Sequence, residues 1–207
     1  MRYAMLFLGL LLLLSPLGAQ EGREGKGDFF NGKDLTGWEG LTEYWSVKDG
    51  AIVGRTEKDP GFNTFLCSKK KYGDFELSFK VRLEGGVGNS GVQIRSKVAE
   101  RKTFAVSGPQ CDIGESYWGN LHGERFGGLV RAARPEAQKA VKAKDFNDYH
   151  IKVVGKHVTI KLAGVTAVDD DFAKMPEEGI IAFQLHSGGP IEVTFKDIRF
   201  KALRLKK

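Results

Sequence analysis

The sequence predicts an all-β protein, a two-sheet antiparallel β-sandwich with jelly-roll topology. Three observations carry that expectation. Several segments alternate apolar and polar residues with the two-residue period of a half-buried strand, and about ten or more short strands can be drawn. No long stretch repeats with the 3.6-residue period of a helix. Glycine occurs 27 times among 207 residues, close to twice its usual share, which supplies the tight turns that short strands need.

Phe29-Phe30-Asn31-Gly32 reads as a short strand entering a turn, with Trp38 soon after. Trp45-Ser46-Val47-Lys48 and Ala51-Ile52-Val53 flank Asp49-Gly50, a pair that tolerates the positive backbone angles of a type I′ hairpin turn. Phe75, Leu77, Phe79, Val81 and Leu83 alternate with Glu76, Ser78, Lys80 and Arg82, giving a strand with one dry face and one wet face. Glycines lead into Val92-Gln93-Ile94-Arg95. From about 97 to 147 the pattern is irregular, with short strands and one or two helical turns near 136 to 143. Tyr149, Ile151 and Val153 turn at Gly155-Lys156 and return as Val158, Ile160 and Leu162. The last strands are 180 to 185 and 191 to 203. In the final one Val193 and Phe195 share a parity and Ile198 and Phe200 share the other, so a bulge near Lys196-Asp197 must bring all four inward.

Length and composition fit one domain, expected over 29–205, after a flexible segment at 20–28. Residues 1–19 have the form of a signal peptide: a positive start, an apolar run from Leu6 to Leu14, and small residues at Gly18-Ala19. That run is shorter than the roughly 20 residues that span a bilayer. Export to the periplasm or beyond, with no integral membrane segment, is therefore expected. The formal charge of +6 is dispersed and accompanies no zinc-finger spacing, phosphate loop or basic helix, so nucleic acid is not an expected partner. Cys67 and Cys111 are the only cysteines, and the sequence leaves open whether they pair.

Polar residues inside apolar strands mark the candidate site. Gln93 and Arg95 share one parity, as do Gln110 and Asp112, and Gln184 and His186. Val92, Ile94, Cys111, Ile113, Phe183 and Leu185 alternate with them. If the outward faces meet on one curved sheet they form a cleft of amides, a guanidinium, a carboxylate and an imidazole, with Tyr117 and Trp118 at its rim. Amides and charged forks grip hydroxyls, and aromatic faces accept the apolar side of a sugar, so carbohydrate is the expected ligand. Taken singly, each pair also reads as ordinary solvated strand residues.

Asp112, Glu115, His122, Glu124 and Arg125 form a second cluster. Asp112 and Glu115 are candidate proton-transfer groups, and their oxygens also keep a divalent metal such as calcium among the options. His122-Gly123-Glu124 lacks zinc-protease spacing, and no serine stands in a nucleophile elbow. His186, followed by Ser187-Gly188-Gly189, suits proton transfer because imidazole titrates near neutrality, although it equally suits a turn.

Four stretches together resemble the 3-keto-disaccharide hydrolase family, formerly described as a domain of unknown function: Phe29 to Trp38 with its Asn-Gly-Lys-Asp-Leu-Thr-Gly-Trp run, Trp45 to Ile52, Asn89 to Arg95, and Gly179 to His186. The resemblance implies a concanavalin A-like lectin/glucanase sandwich and an exported bacterial setting. It implies cleavage of glycosides already oxidised at C3, in which the ketone acidifies the C2 proton, the C1 substituent leaves and water adds. Under that implication His186, Asp112 or Glu115 moves protons and Arg95 stabilises enolate charge. Gln93, Gln110, Tyr117, Trp118, His122, Arg125 and Gln184 contact the sugar. The chain departs from the family pattern at Gly108-Pro109-Gln110-Cys111-Asp112, at Asp145-Phe146-Asn147 and at Leu162-Ala163-Gly164. A glycan-binding module without turnover is the main alternative, and a structural module of the envelope the lesser one.

Overall fold

Every second residue from Phe75 to Leu83 is buried and those between are half-buried, so the expected two-faced strand forms as written. It belongs to a computed structural model that describes residues 29–203. The expected signal peptide at 1–19, the segment at 20–28 and the end of the expected domain at 204–205 lie outside the described residues.

Among the described residues fourteen strands and one short helix follow in order: β1 (Trp38–Glu39), β2 (Trp45–Lys48), β3 (Ala51–Thr56), β4 (Thr64–Ser68), β5 (Phe75–Leu83), β6 (Ser90–Glu100), β7 (Ala105–Ile113), β8 (Leu121–Glu124), β9 (Gly128–Arg131), α1 (Pro135–Lys139), β10 (Asn147–Val154), β11 (His157–Leu162), β12 (Val165–Asp171), β13 (Ile180–Leu185) and β14 (Ile191–Ala202). They build two seven-stranded antiparallel sheets. The first runs β1-β4-β13-β6-β7-β8-β9 and the second β12-β11-β10-β5-β14-β3-β2. The expected all-β sandwich is the fold.

The turns follow the local chemistry. Asp49 and Gly50 both have positive φ, 50° and 76°, and join β2 to β3 with Lys48 opposite Ala51. In β14 the register against β5 shifts between Lys196 and Arg199, the bulge that the parity switch required, and Asp197 takes φ 55°. Phe200 then reaches the core edge and stacks on Phe29 at 4.4 Å. Two expectations are corrected. Residues 29–31 form no strand: the Asn31 side chain accepts from the Lys33 and Asp34 amides, and Asp34 in turn accepts from Thr36 N. This pair of side-chain-closed turns aims Trp38 into the core, where its Nε1 donates to Phe29 O at 3.1 Å. The irregular stretch from 97 to 147 is more ordered than its sequence suggests, holding the end of β6, all of β7, β8 and β9, and one helix turn at α1.

Between the sheets lies one continuous core. Val92, Ile94, Cys111, Ile113, Phe183 and Leu185 supply one side and Phe79, Tyr149 and Phe195 the other. Each such fully buried side chain is worth about 2 kcal/mol of removed apolar surface. Tyr149 stacks on Phe79 at 5.1 Å and its hydroxyl donates to Asp112 O at 3.1 Å, a polar tie from the second sheet to the strand that carries the candidate site.

The first sheet is buried on its outward face as well. Phe65, Cys67, Val106, Ile180 and Ala182 form a second, smaller cluster, with Val98 and Phe104 against it. Residues 98–106 are the tip of the β6–β7 hairpin, which folds back over β13 and β4. Arg101 at the tip pairs with Glu39 of β1 at 2.7 Å, at the far edge of the sheet. Cys67 lies in this cluster and Cys111 in the main core, so the sheet itself separates the two free thiols.

Candidate active site

The half of that outward face left beside the hairpin is polar. Cross-strand register sets two rows on it: Gln184, Gly91 and Asp112 in one, and Ala182, Gln93, Gln110 and His122 in the next. Gly91 leaves a gap that the Gln110 carboxamide fills, because a Cβ there would stand 2.7 Å from Gln110 Cδ and Nε2. From that position Gln110 Nε2 donates to Asp112 Oδ1 at 2.9 Å and to Gln184 Oε1 at 3.2 Å. Gln93 Nε2 donates to Gln110 Oε1 at 2.7 Å, and Ser96 Oγ to Gln93 Oε1 at 2.6 Å. The shared face expected for Gln93, Gln110, Asp112 and Gln184 is therefore present.

All four are buried. Burial pushes the Asp112 carboxyl up to about 7, against the opposing hydrogen bond from Gln110, and the negative charge of Glu124 adds to the rise. Gln184 Nε2 is buried and has no hydrogen-bond partner among the described residues. An amide donor left open beside a carboxylate that titrates near neutrality is what a ligand oxygen would complete.

The rim is half-buried. Asn63, just before β4, donates from Nδ2 to Glu124 Oε1 at 3.4 Å and accepts at Oδ1 from Ser187 N at 3.0 Å. It thereby links the loop after β13 to the end of β8. His186, one residue beyond β13, donates from Nδ1 to Ser187 O at 2.7 Å, since a carbonyl can only accept. In the neutral ring this leaves Nε2 as the basic nitrogen. His122 is half-buried on the same face as Gln110, while Arg125 is exposed in the β8–β9 turn with φ 48°. Glu115 and Tyr117 are exposed in a single 3₁₀ turn after β7.

Two sequence expectations fail. Arg95 does not share the face of Gln93: the register against β13 shifts between Ala182 and Ile180, Arg95 takes φ 46°, and its side chain leaves the glutamine rows. It is buried at one end of the sandwich, donating to Gly73 O, Gly155 O and Pro176 O and pairing with Asp74 at 2.5 Å. All three of its guanidinium nitrogens are engaged there. Gly179 makes the arrangement possible, because a Cβ on it would stand 2.2 Å from the Arg95 carbonyl carbon. Trp118 is not at a rim but in the main core, 3% exposed. Asn63, Ser96 and Gly91 are the site residues that sequence reasoning missed. Only Gly91 left a signal, a residue without a side chain just before the Val92-Gln93-Ile94-Arg95 alternation. Among the described residues no group of three or more His, Cys, Asp or Glu side chains is placed to hold a metal ion.

The fold is a two-sheet antiparallel β-sandwich that carries an amide and carboxylate cluster on the outward face of one sheet. The chain belongs to the family of the 3-keto-alpha-glucoside-1,2-lyase-like domain, which matches residues 25–201. Membership makes its role carbohydrate-directed, through hydrolase-like action or through binding. Among solved structures it is similar to a glycosyl hydrolase-like protein from Parabacteroides distasonis ATCC 8503, with 21% identity, a TM-score of 0.64, and 85% of this chain and 93% of that chain covered. It is also similar to the carbohydrate binding module CBM66 from Bacillus subtilis, with 14% identity, a TM-score of 0.59, and 80% and 96% covered. A Bacillus subtilis protein with a galectin-like fold aligns at 10% identity and a TM-score of 0.57, with 81% and 90% covered. Among curated proteins no sequence matches.

Proposed function

We propose that the protein is an exported enzyme that cleaves glycosides bearing a ketone at C3, with Asp112 as the base at C2. The carrying observation is the Gln184–Gln110–Asp112 chain, in which burial holds the Asp112 carboxyl near neutrality against the hydrogen bond from Gln110, beside an unfilled amide donor. The ketone makes the C2 proton acidic. Asp112 takes that proton, the C2–H electron pair becomes the enolate, and its collapse expels the C1 oxygen with formation of a C1–C2 double bond. The departing alkoxide gains a proton, and water adding across the double bond completes hydrolysis. Gln184 Nε2 offers a hydrogen bond to the sugar, and His186 Nε2 is a second proton carrier at the rim. Sugar enters by parting the 3.4 Å contact of Asn63 with Glu124.

The alternative is binding without turnover, favoured by the mutual satisfaction of Gln93, Gln110 and Ser96 and by the likeness in fold to a carbohydrate binding module. Incubation with matched ordinary and 3-keto disaccharides separates the two, with boiled protein as the control for spontaneous decay. Enzyme-dependent cleavage of the keto sugar, with C2 proton exchange lost in Asp112→Asn, supports the enzyme. Saturable affinity without cleavage or exchange overturns it.

A further inference from the structure

A chain of side chains reaches Asp112 from outside the site. Ser96 Oγ donates to Gln93 Oε1 at 2.6 Å, Gln93 Nε2 to Gln110 Oε1 at 2.7 Å, and Gln110 Nε2 to Asp112 Oδ1 at 2.9 Å. Its origin is local. Residues three apart on a regular strand point to opposite faces, yet Ser96 meets Gln93, because the ladder to β7 is interrupted between Gln93 and Lys97 and Arg95 takes φ 46°. Gly108 makes room for the hydroxyl: a Cβ there would stand 2.1 Å from Ser96 Oγ. Ser96 and Gln93 are both buried, so bulk water supplies neither with a replacement partner.

The donors all run one way, and Asp112 is the reason. An ionised carboxylate only accepts, so Gln110 turns Nε2 to it and Oε1 to Gln93. Gln93 Oε1 then faces Ser96, whose hydroxyl has one proton to give. Ile94 O and Pro109 O lie 3.1 and 3.3 Å from the same Oγ and are two further acceptors within its reach. Once protonated, Asp112 has a proton to donate, and the opposite polarity satisfies every member as well. Asp112 donates to Gln110 Oε1, Gln110 Nε2 to Gln93 Oε1, Gln93 Nε2 to Ser96 Oγ, and Ser96 to Ile94 O or Pro109 O. The oxygen and nitrogen of a carboxamide occupy equivalent positions, so half-turns of the amides achieve this with the heavy atoms in place. Gln184 follows. Its Oε1 accepts from Gln110 at 3.2 Å, and after reversal its Nε2 donates there, which turns its open group from a donor into an acceptor.

We propose that Ser96 is a positioning residue: the destination of its one hydroxyl proton sets the polarity of this chain, which reverses as a unit when Asp112 takes a proton. Gln184 then offers N–H to a ligand oxygen only while Asp112 is ionised, the state in which it acts as a base. The inference rests on the role proposed above for Asp112. The titratable groups around Asp112 are Glu124 and His122 from β8, Tyr149 from β10, Cys111 on its own strand and His186 at the rim, whereas β6 and β13 present uncharged Gly91, Gln93 and Gln184.

The Asp112 carboxyl carbon and the glutamine side-chain amides are followed by NMR across pH, without sugar, in the parent, Ser96→Ala and Ser96→Cys, with urea titration to establish that each variant is folded. In the parent the amides of Gln93, Gln110 and Gln184 should move with the midpoint of Asp112. In Ser96→Ala no donor faces Gln93 Oε1, whereas Ile94 O and Pro109 O are left to accept from Gln93 Nε2, so the protonated arrangement gains. Asp112 should titrate about one pH unit higher, which is about a tenfold shift toward its protonated form. Ser96→Cys, similar in shape with a weak S–H donor, should give a smaller rise in the same direction. In a Gln93→Met background, where the chain is cut, Ser96→Ala should no longer move Asp112. A merely structural serine would lower stability and leave the titration alone. Three results would overturn the proposal: glutamine amides that stay still through the Asp112 midpoint, which places the proton on the other carboxylate oxygen; an unmoved Asp112 in folded Ser96→Ala; or the same shift in the Gln93→Met background. Cleavage of a keto sugar is a separate measurement, and its absence would sink the proposed reaction rather than the chain.

Discussion

The Gln110 carboxamide sits in the space that a side chain on Gly91 would need, 2.7 Å from the position of its missing Cβ. The hydrogen bonds to Asp112 and Gln184 depend on that vacancy. Gly91→Ala should therefore displace Gln110, cost about 1–3 kcal/mol by overpacking, and break the chain at its centre. A urea titration gives the stability loss. Activity or sugar affinity should fall more steeply in this variant than in a surface substitution of equal stability cost.

Asp112 is protonated in the folded protein over a range where it is ionised in the unfolded chain. The folded state thus binds more protons between about 3.8 and about 7, so this residue makes stability fall as pH rises through that window. Asp112→Asn keeps the acceptor for Gln110 and removes the penalty. Its melting temperature should exceed that of the parent at pH 8, by up to about 4 kcal/mol in stability, and the difference should vanish near pH 4. Thermal scans of both proteins across pH decide it.

If Asp112 is the base, it acts only when ionised. The turnover of a 3-keto substrate at limiting concentration should then rise with pH to a plateau above about 7. A rate that falls through neutrality would remove Asp112 from that role.

Arg95 and Asp74 form a buried pair whose remaining donors go to three carbonyls. Arg95→Met leaves Asp74 and those carbonyls without their partner, and the expected loss is about 3–5 kcal/mol. Far-UV circular dichroism with urea should show lowered stability for the folded fraction, with C2 proton exchange per folded molecule retained.

Cys67 and Cys111 should remain thiols even under oxidising conditions. They lie on opposite faces of one sheet, and burial raises Cys67 to about 12 and Cys111 well above its usual value. Alkylation at pH 8 should label neither in the native protein and both in urea. A disulfide-shifted band on a non-reducing gel would contradict this placement.

Turn chemistry and alternation made most of the framework legible. Asp49-Gly50, the 75–83 strand, the 149–162 hairpin and the bulge in the final strand were all readable because each is decided by neighbours in sequence. Parity counting also placed Gln93, Gln110, Asp112 and Gln184 on one face. It failed at Arg95 because a non-glycine residue in the left-handed region leaves no mark in the sequence, and one such residue redirects a side chain. Val165–Asp171 escaped notice as a strand because three consecutive aspartates end it, paired there with β11 through His157 and Thr159. Trp118 looked like a ligand platform only because nothing local showed that it packs inward. The Asn63–Glu124 contact joins residues 61 positions apart, which no local pattern encodes.

The β6–β7 hairpin that bends back to Glu39 has a bearing on which part of a saccharide this sheet can meet. An uninterrupted groove would let a polymer slide through and be engaged anywhere along its length. Here the hairpin covers one half of the face beside the amide rows. If those rows take a sugar, as we propose, the hairpin blocks a chain running on in that direction, and a terminus or a short oligosaccharide is the expected ligand.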